Sequence, residues 1–139
     1  MRQLIIIATA AIFVAGCGAS QPATATWPGK FFSNPRKIDF YDQTYQISDV
    51  KILCSESNNG LTIRIAAPDG TEVTSTRPED GSRKADIQVS GGGREPQTLT
   101  NGAVWNNVNG EWGFEGDPDD TDSHSVFYLH DGAAICPPE

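Results

Sequence analysis

The chain has 139 residues, 37% of them hydrophobic and 20% charged, and a formal net charge of −8 at pH 7. That acidic balance argues against a nucleic-acid partner and against electrostatic docking on anionic lipid. The length suits one ordinary domain around one core.

From the N-terminus, Met1-Arg2-Gln3 precedes an apolar run, Leu4 to Val14, of 11 residues. A basic start, an apolar core of about 7–15 residues and a small residue before a cut site make a secretory signal. The run is well short of the ~20 residues a spanning helix needs. It closes on Val14-Ala15-Gly16-Cys17, which resembles the lipobox of bacterial lipoproteins. In that family the signal is cut before the cysteine and the cysteine is acylated. The resemblance implies a signal peptide at 1–16, Cys17 as the lipidated mature N-terminus, and an extracytoplasmic position at the cell membrane. A plain secretory signal and a short buried helix are the alternatives. Gly18 to Pro28 offers no amphipathic continuation with which such a helix would pack.

Removal of residues 1–16 leaves 123 residues with 9 Lys+Arg against 18 Asp+Glu, a net charge of −9. The membrane is then held through acyl chains on Cys17, at ~0.8 kcal/mol per buried CH₂. The three cysteines also fall into place. With Cys17 given to lipid, Cys54 and Cys136 remain to pair in an oxidising compartment. They stand 82 positions apart, and closing such a loop stabilises by on the order of 4 kcal/mol. Two free thiols are the alternative; a metal site lacks a histidine at ligand spacing.

Gly18 to Gly29 is small, polar and uncharged, a composition that orders poorly on its own. Residues 17–36 are therefore read as the lipidated cysteine and a flexible tether, with Phe31 and Phe32 as the first contacts on the domain. The β-rich domain spans 37–139. Lys37 to Tyr41 and Thr44 to Cys54 form a strand pair around Asp42-Gln43. Tyr45 and Ile47 fall on one face and Val50, Ile52 and Cys54 on the other, so a bulge is expected near Ser48-Asp49. Leu61, Ile63, Ile65 and Ala67 alternate with polar or small residues, as do Ala85, Ile87 and Val89, the pattern of half-buried strands. Thr71 to Thr76 is a short strand between them. Gly91-Gly92-Gly93 is a turn; the Lys-Ser/Thr of a phosphate loop is missing. Gln97 to Trp105 is a strand disturbed at Asn101-Gly102. Trp112 and Phe114 share a face of the next, and Ser125 to Cys136 is a last strand interrupted at Asp131-Gly132. No window after residue 17 holds a 3.6-residue apolar period. The expected fold is all-β: a single antiparallel β-sandwich or strongly bent sheet of about eight strands.

The order of features is itself distinctive. A lipobox cysteine opens an Ala/Thr/Pro tether, and a strand pair leads to Cys54. Alternating strands follow, then Asn109-Gly110-Glu111-Trp112-Gly113-Phe114-Glu115-Gly116 and an apolar strand ending in Cys136. This resembles the mycobacterial surface lipoprotein antigens of the LpqH type. The likeness covers most of residues 17–137 and rests on layout and spacing; Asp131-Gly132-Ala133-Ala134 departs from an uninterrupted last strand. It implies an acylated, immunogenic cell-envelope protein that carries a ligand and has no catalytic residues. It also implies Cys17 as the lipid site, a Cys54–Cys136 pair, and sugars on Thr24 and Thr26 of the tether.

Three constellations invite chemistry. Asp117, Asp119, Asp120 and Asp122 crowd one loop, and hard cations such as Ca²⁺ collect carboxylates in this way. No helix–loop–helix spacing accompanies them, so a solvated acidic loop is the plainer reading. His124 and His130 share strand parity, near Ser123, Ser125, Asp122 and Asp131. No Gly-x-Ser-x-Gly elbow supports hydrolysis, and a Zn²⁺ site with Asp122 is the alternative to ordinary hydrogen-bonded histidines. Trp105, followed by Asn106-Asn107, is either a ligand-facing aromatic or a core anchor. No enzyme activity, cofactor or nucleic acid is expected. The expected function is a lipid-anchored surface-antigen-type domain that binds an unidentified lipid, small ligand or protein, with lipid or small-ligand transport as one form. The alternative is an accessory or structural subunit of a cell-envelope transporter or cell-wall complex.

Overall fold

Residues 61–67 show most plainly why this chain makes strands. Leu61, Ile63, Ile65 and Ala67 are buried while Thr62 and Arg64 face outward, and β-branched residues in alternation suit a pleated, half-buried surface. The same two-residue period buries Val73 and Ser75, and again Ala85, Ile87 and Val89. A computed structural model describes residues 25–32, 37–116 and 126–138. The signal 1–16, Cys17, Thr24 and the acidic cluster Asp117, Asp119, Asp120 and Asp122 lie outside the described residues, as does His124.

Twelve strands are present among the described residues. They are β1 (Ala25–Pro28), β2 (Lys30–Phe32), β3 (Lys37–Phe40), β4 (Gln43–Gln46), β5 (Lys51–Ser57), β6 (Gly60–Ala66), β7 (Glu72–Thr76), β8 (Lys84–Gly91), β9 (Arg94–Val108), β10 (Glu111–Gly116), β11 (Phe127–Leu129) and β12 (Ala133–Cys136). Nine form one antiparallel sheet in the order β1-β5-β6-β7-β8-β9-β10-β12-β2, and β11-β3-β4 form a second, small sheet. The strongly bent sheet is thus the form that occurs, and it bends nearly into a barrel.

Closure depends on the segment 25–32. Its first half pairs with β5, Trp27 opposite Cys54, and its second half with β12, Lys30 opposite Ile135. The two edges of the sheet are therefore consecutive in the chain, separated by Gly29 alone. The Gly29 N–H donates to the Ile52 carbonyl at 3.0 Å. A β-carbon at Gly29 would sit 2.3 Å from Ile52 Cγ2 and 3.1 Å from the Ile135 carbonyl oxygen, so only glycine lets the ribbon lie in the seam. Beneath it Cys54 and Cys136 form the expected disulfide, with 5.7 Å between their Cα atoms, joining β5 to β12. The tether expected over 17–36 is corrected here: residues 25–32 are strand. Their composition carried no signal because strand pairing uses the backbone, not side-chain apolarity.

Three other expectations shift. The parity break after Ile47 is real, but the chain meets it with a 3-10 turn at Ile47–Asp49 and a change of sheet, β4 in one and β5 in the other. The last strand divides in the same way at Asp131-Gly132, into β11 and β12. The hairpin turn falls on Tyr41-Asp42, and Tyr41 takes φ 55°, a left-handed conformation that costs a bulky residue about 1–2 kcal/mol. Its N–H donates to the Val126 carbonyl at 2.7 Å, and the Arg94 guanidinium lies 4.4 Å from its ring centre. In β9, residues 100–102 stand opposite Asp86 alone. This bulge bends the strand; β8 pairs with it on both sides of the bulge, as far as Val104, and β10 pairs with its second half, from Ala103 to Val108.

The small sheet covers the barrel end where β5 and β12 begin and β2 and β10 finish. An aromatic column runs inward from it: Tyr45 on Phe40, Phe40 on Phe127, Phe127 on Phe114, Phe114 on Trp105, with ring centres 5.6–5.9 Å apart. Such pairs add to the burial of their area. The Tyr45 hydroxyl donates to Asp69 in the β6–β7 turn, and Arg94 at the start of β9 pairs with Asp42. The Gly91-Gly92-Gly93 turn sits here too. A β-carbon on Gly91 would lie 2.0 Å from the Gly70 carbonyl oxygen, so these glycines serve a backbone approach.

Candidate functional site

The opposite end of the barrel has no such cover among the described residues. There the β5–β6 turn, the link from Arg77 to Arg83 and the β9–β10 turn surround a groove of about 580 Å³. That volume is within the ~300–1,000 Å³ typical of small-molecule sites. Gly60, Arg77, Arg83, Asn106, Asn107 and Trp112 line it, and Trp105 lies at its floor. A second hollow of about 260 Å³ lies on the other side of Trp112, against Trp27, Leu61, Pro137 and Pro138.

Each element of this mouth is held for a local reason. The Arg77 N–H donates to the Leu61 carbonyl at 2.8 Å, and the Trp105 N–H to the Arg83 carbonyl at 2.7 Å, fixing both ends of the 77–83 link. Inside it the Ser82 N–H donates to Asp80 Oδ1 at 2.8 Å, a local turn of the kind Asp side chains favour; that bond and the Ser82 hydroxyl hold the Asp80 carboxyl below its usual range. Trp105 is fully buried, and its indole N–H donates to the buried Ser75 hydroxyl at 2.8 Å. It is a core anchor with its polar atom satisfied, which decides against the ligand-facing alternative. Trp27 donates its indole N–H to the Pro137 carbonyl at 2.6 Å, so the chain's C-terminal end is pinned to the ribbon.

Trp112 differs from both. It is 37% exposed, the one exposed large hydrophobic side chain among the described residues. The Arg77 guanidinium lies 4.5 Å from its ring centre, a cation–π arrangement. Neither Arg77 nor Arg83 has a carboxylate partner among the described residues, whereas Lys30 at the same end pairs with Glu111 at 2.9 Å. The arrangement can bind: a flat apolar face, two fork-shaped cationic donors and amide side chains converge on one concavity.

The remaining candidates are distributed as follows. Thr26 is exposed on β1. His130 contacts Asp39 through Nε2 at 2.7 Å, and the Thr44 hydroxyl donates to the other oxygen of the same carboxylate at 2.7 Å. Burial pushes the Asp39 carboxyl up, but the hydrogen bonds from His130 and Thr44 and the nearby charges of His130 and Lys37 together leave it below its usual range. A nucleophile must contact the histidine, not the carboxylate that orients it. Thr44 is on the far side of Asp39 from His130, no described Ser or Cys bonds to His130, and the cluster ties β3 and β4 to the end of β11; Ser123 and Ser125 lie outside the described residues. At the same end, burial, the Asp69 hydrogen bond and the Asp69 charge push Tyr45 up to about 12. No group of three His, Cys, Asp or Glu able to hold a metal occurs among the described residues.

Sequence reasoning found Trp112 only as a strand residue and missed Arg77 and Arg83. They sit in an irregular link whose position follows from strand pairing. Compared with protein-family models, curated proteins and solved structures, the chain finds no match.

Proposed function

We propose that this protein is a lipid-anchored, extracytoplasmic domain of the cell envelope that binds a ligand at the open end of its barrel and catalyses no reaction. The lipobox-like Val14-Ala15-Gly16-Cys17 supports the anchor, with the protein held to the membrane by acyl chains on Cys17. The layout of the mature chain supports kinship with surface lipoprotein antigens of the LpqH type. The observation that carries the binding function is the contrast at Trp112: an exposed indole in a groove with Arg77 and Arg83, which have no carboxylate partner among the described residues, whose other large hydrophobic side chains are buried or half-buried.

A second reading is favoured by a different observation. Residues 101–139 hold eight acids and no Lys or Arg, which fits an accessory subunit docking on a cationic partner through that surface.

One measurement tests the anchor. A mass spectrum of the intact protein extracted from its native membrane is expected to show a chain beginning at Cys17, the added mass of acyl groups, and two hydrogens fewer for the disulfide. Native material that keeps residues 1–16 and dissolves without detergent overturns it. For binding, Trp112→Ala and Arg77→Gln are expected to abolish co-purification of a small ligand or lipid without lowering thermal stability. Loss of partner capture on reversing Asp117, Asp119 and Asp120 to Lys, with Trp112→Ala neutral, supports the accessory-subunit reading instead.

A further inference from the structure

The direction of the first strand adds something the anchor alone does not. β1 starts at Ala25 opposite Glu56, the open end of the barrel, and runs toward the covered end. Trp27 lies in the wall of the hollow shared with Trp112, Pro137 and Pro138. Seven residues, 18–24, separate Cys17 from Ala25, and eight Cα–Cα steps span at most about 28 Å. A chain held by acyl groups on Cys17 therefore keeps the open end within that distance of the lipid surface.

Charge favours the same orientation. The groove itself is lined by Arg77 and Arg83 against one acid, Glu79. Whole-chain charge argued against contact with anionic lipid; within the groove two arginines face one acid, Glu79, while Glu56 and Glu111 line the adjoining hollow, and charges more than a Debye length of about 8–10 Å away are screened. Arginine forks bind phosphate oxygens in pairs, and tryptophan settles at the headgroup level of a bilayer.

We propose that the open end of the barrel faces the membrane that holds Cys17, and that its groove takes the phosphate of an anionic phospholipid headgroup between Arg77 and Arg83 with Trp112 at the interface. This rests on the anchoring proposed above and adds orientation and ligand class to it.

The test uses the full mature chain in vesicles, its acylation first verified by mass. With brominated lipids, the indole fluorescence of the wild type is quenched, and Trp112→Phe removes most of that quenching. Raising phosphatidylglycerol in a phosphatidylcholine vesicle deepens it. In the Arg77→Gln, Arg83→Gln double variant, the phosphatidylglycerol content needed for half the effect rises about tenfold or the effect is lost, with an unchanged circular dichroism spectrum and melting curve. Inorganic phosphate at constant ionic strength leaves the quenching as it was. An acylated chain whose Trp112 is not quenched overturns the orientation while the anchor stands. Quenching indifferent to headgroup charge, or displaced by inorganic phosphate alone, overturns the headgroup site. A mature chain without acyl mass overturns the anchor itself, a failure distinct from both.

Discussion

The two ends of the barrel are closed by different means. At the covered end, a second sheet lays Phe40 and Phe127 onto Phe114, and Tyr45 and Arg94 reach the neighbouring turns. At the open end, the side chains that face inward stop at Trp105 and Leu61, and order comes from backbone hydrogen bonds in the 77–83 link and from the Cys54–Cys136 disulfide. Packing holds one end and a covalent bond the other. An end without a plug among the described residues leaves a concave surface, and the exposed indole of Trp112 and the guanidinium groups of Arg77 and Arg83 lie there. The packed end and the groove proposed for binding thus lie at opposite ends of one axis of a small domain.

The largest effect is expected from cutting the covalent side of that contrast. Cys54→Ser with Cys136→Ser should lower the urea-unfolding free energy by on the order of 4–5 kcal/mol; a loss below about 1 kcal/mol would mean that the ribbon closes the seam unaided. Phe127→Ala removes the centre of the aromatic column and should cost about 3–4 kcal/mol, read from the same unfolding curve. A smaller effect comes from pH. Because the Asp39 carboxyl is held below its usual range, its contribution is present above the unfolded pKa of about 3.9 and is lost as pH falls through the lower folded value. Melting temperatures of wild type and Asp39→Asn should differ at pH 6 and converge as the pH falls below 4; a gap that persists would assign the pair no role in holding the small sheet. The smallest is Trp112→Ala, expected to change stability by no more than about 0.5 kcal/mol. A cost comparable to that of Phe127→Ala would make the open end a second core and remove the contrast.

Much of the barrel wall was legible because it is local. Leu61 to Ala67 and Ala85 to Val89 announce their faces within a few residues, and the disulfide followed from counting three cysteines once Cys17 was set aside. What escaped was the pairing of distant segments. Nothing in Ala25-Thr26-Trp27-Pro28 reports that it lies against Leu53 and Cys54, or that Lys30 meets Ile135. The second sheet was hidden for the same reason: parity breaks at Ser48-Asp49 and Asp131-Gly132 were visible, but a bulge and a change of sheet look alike in one dimension. Arg77 and Arg83 carried no signal because a binding surface made of link residues exists only once strands have set the links side by side.

The ribbon at 25–32 also sets a timetable. Its two rows of partners are residues 53–56 and 133–135, and Trp27 bonds to Pro137, 110 positions away. On a ribosome the ribbon emerges 110 residues before its last neighbour, so the ring has no completed form until Pro137 has been made. Contacts this distant slow folding through the entropy of bringing them together. Until that point a nascent chain of this design stays threadable.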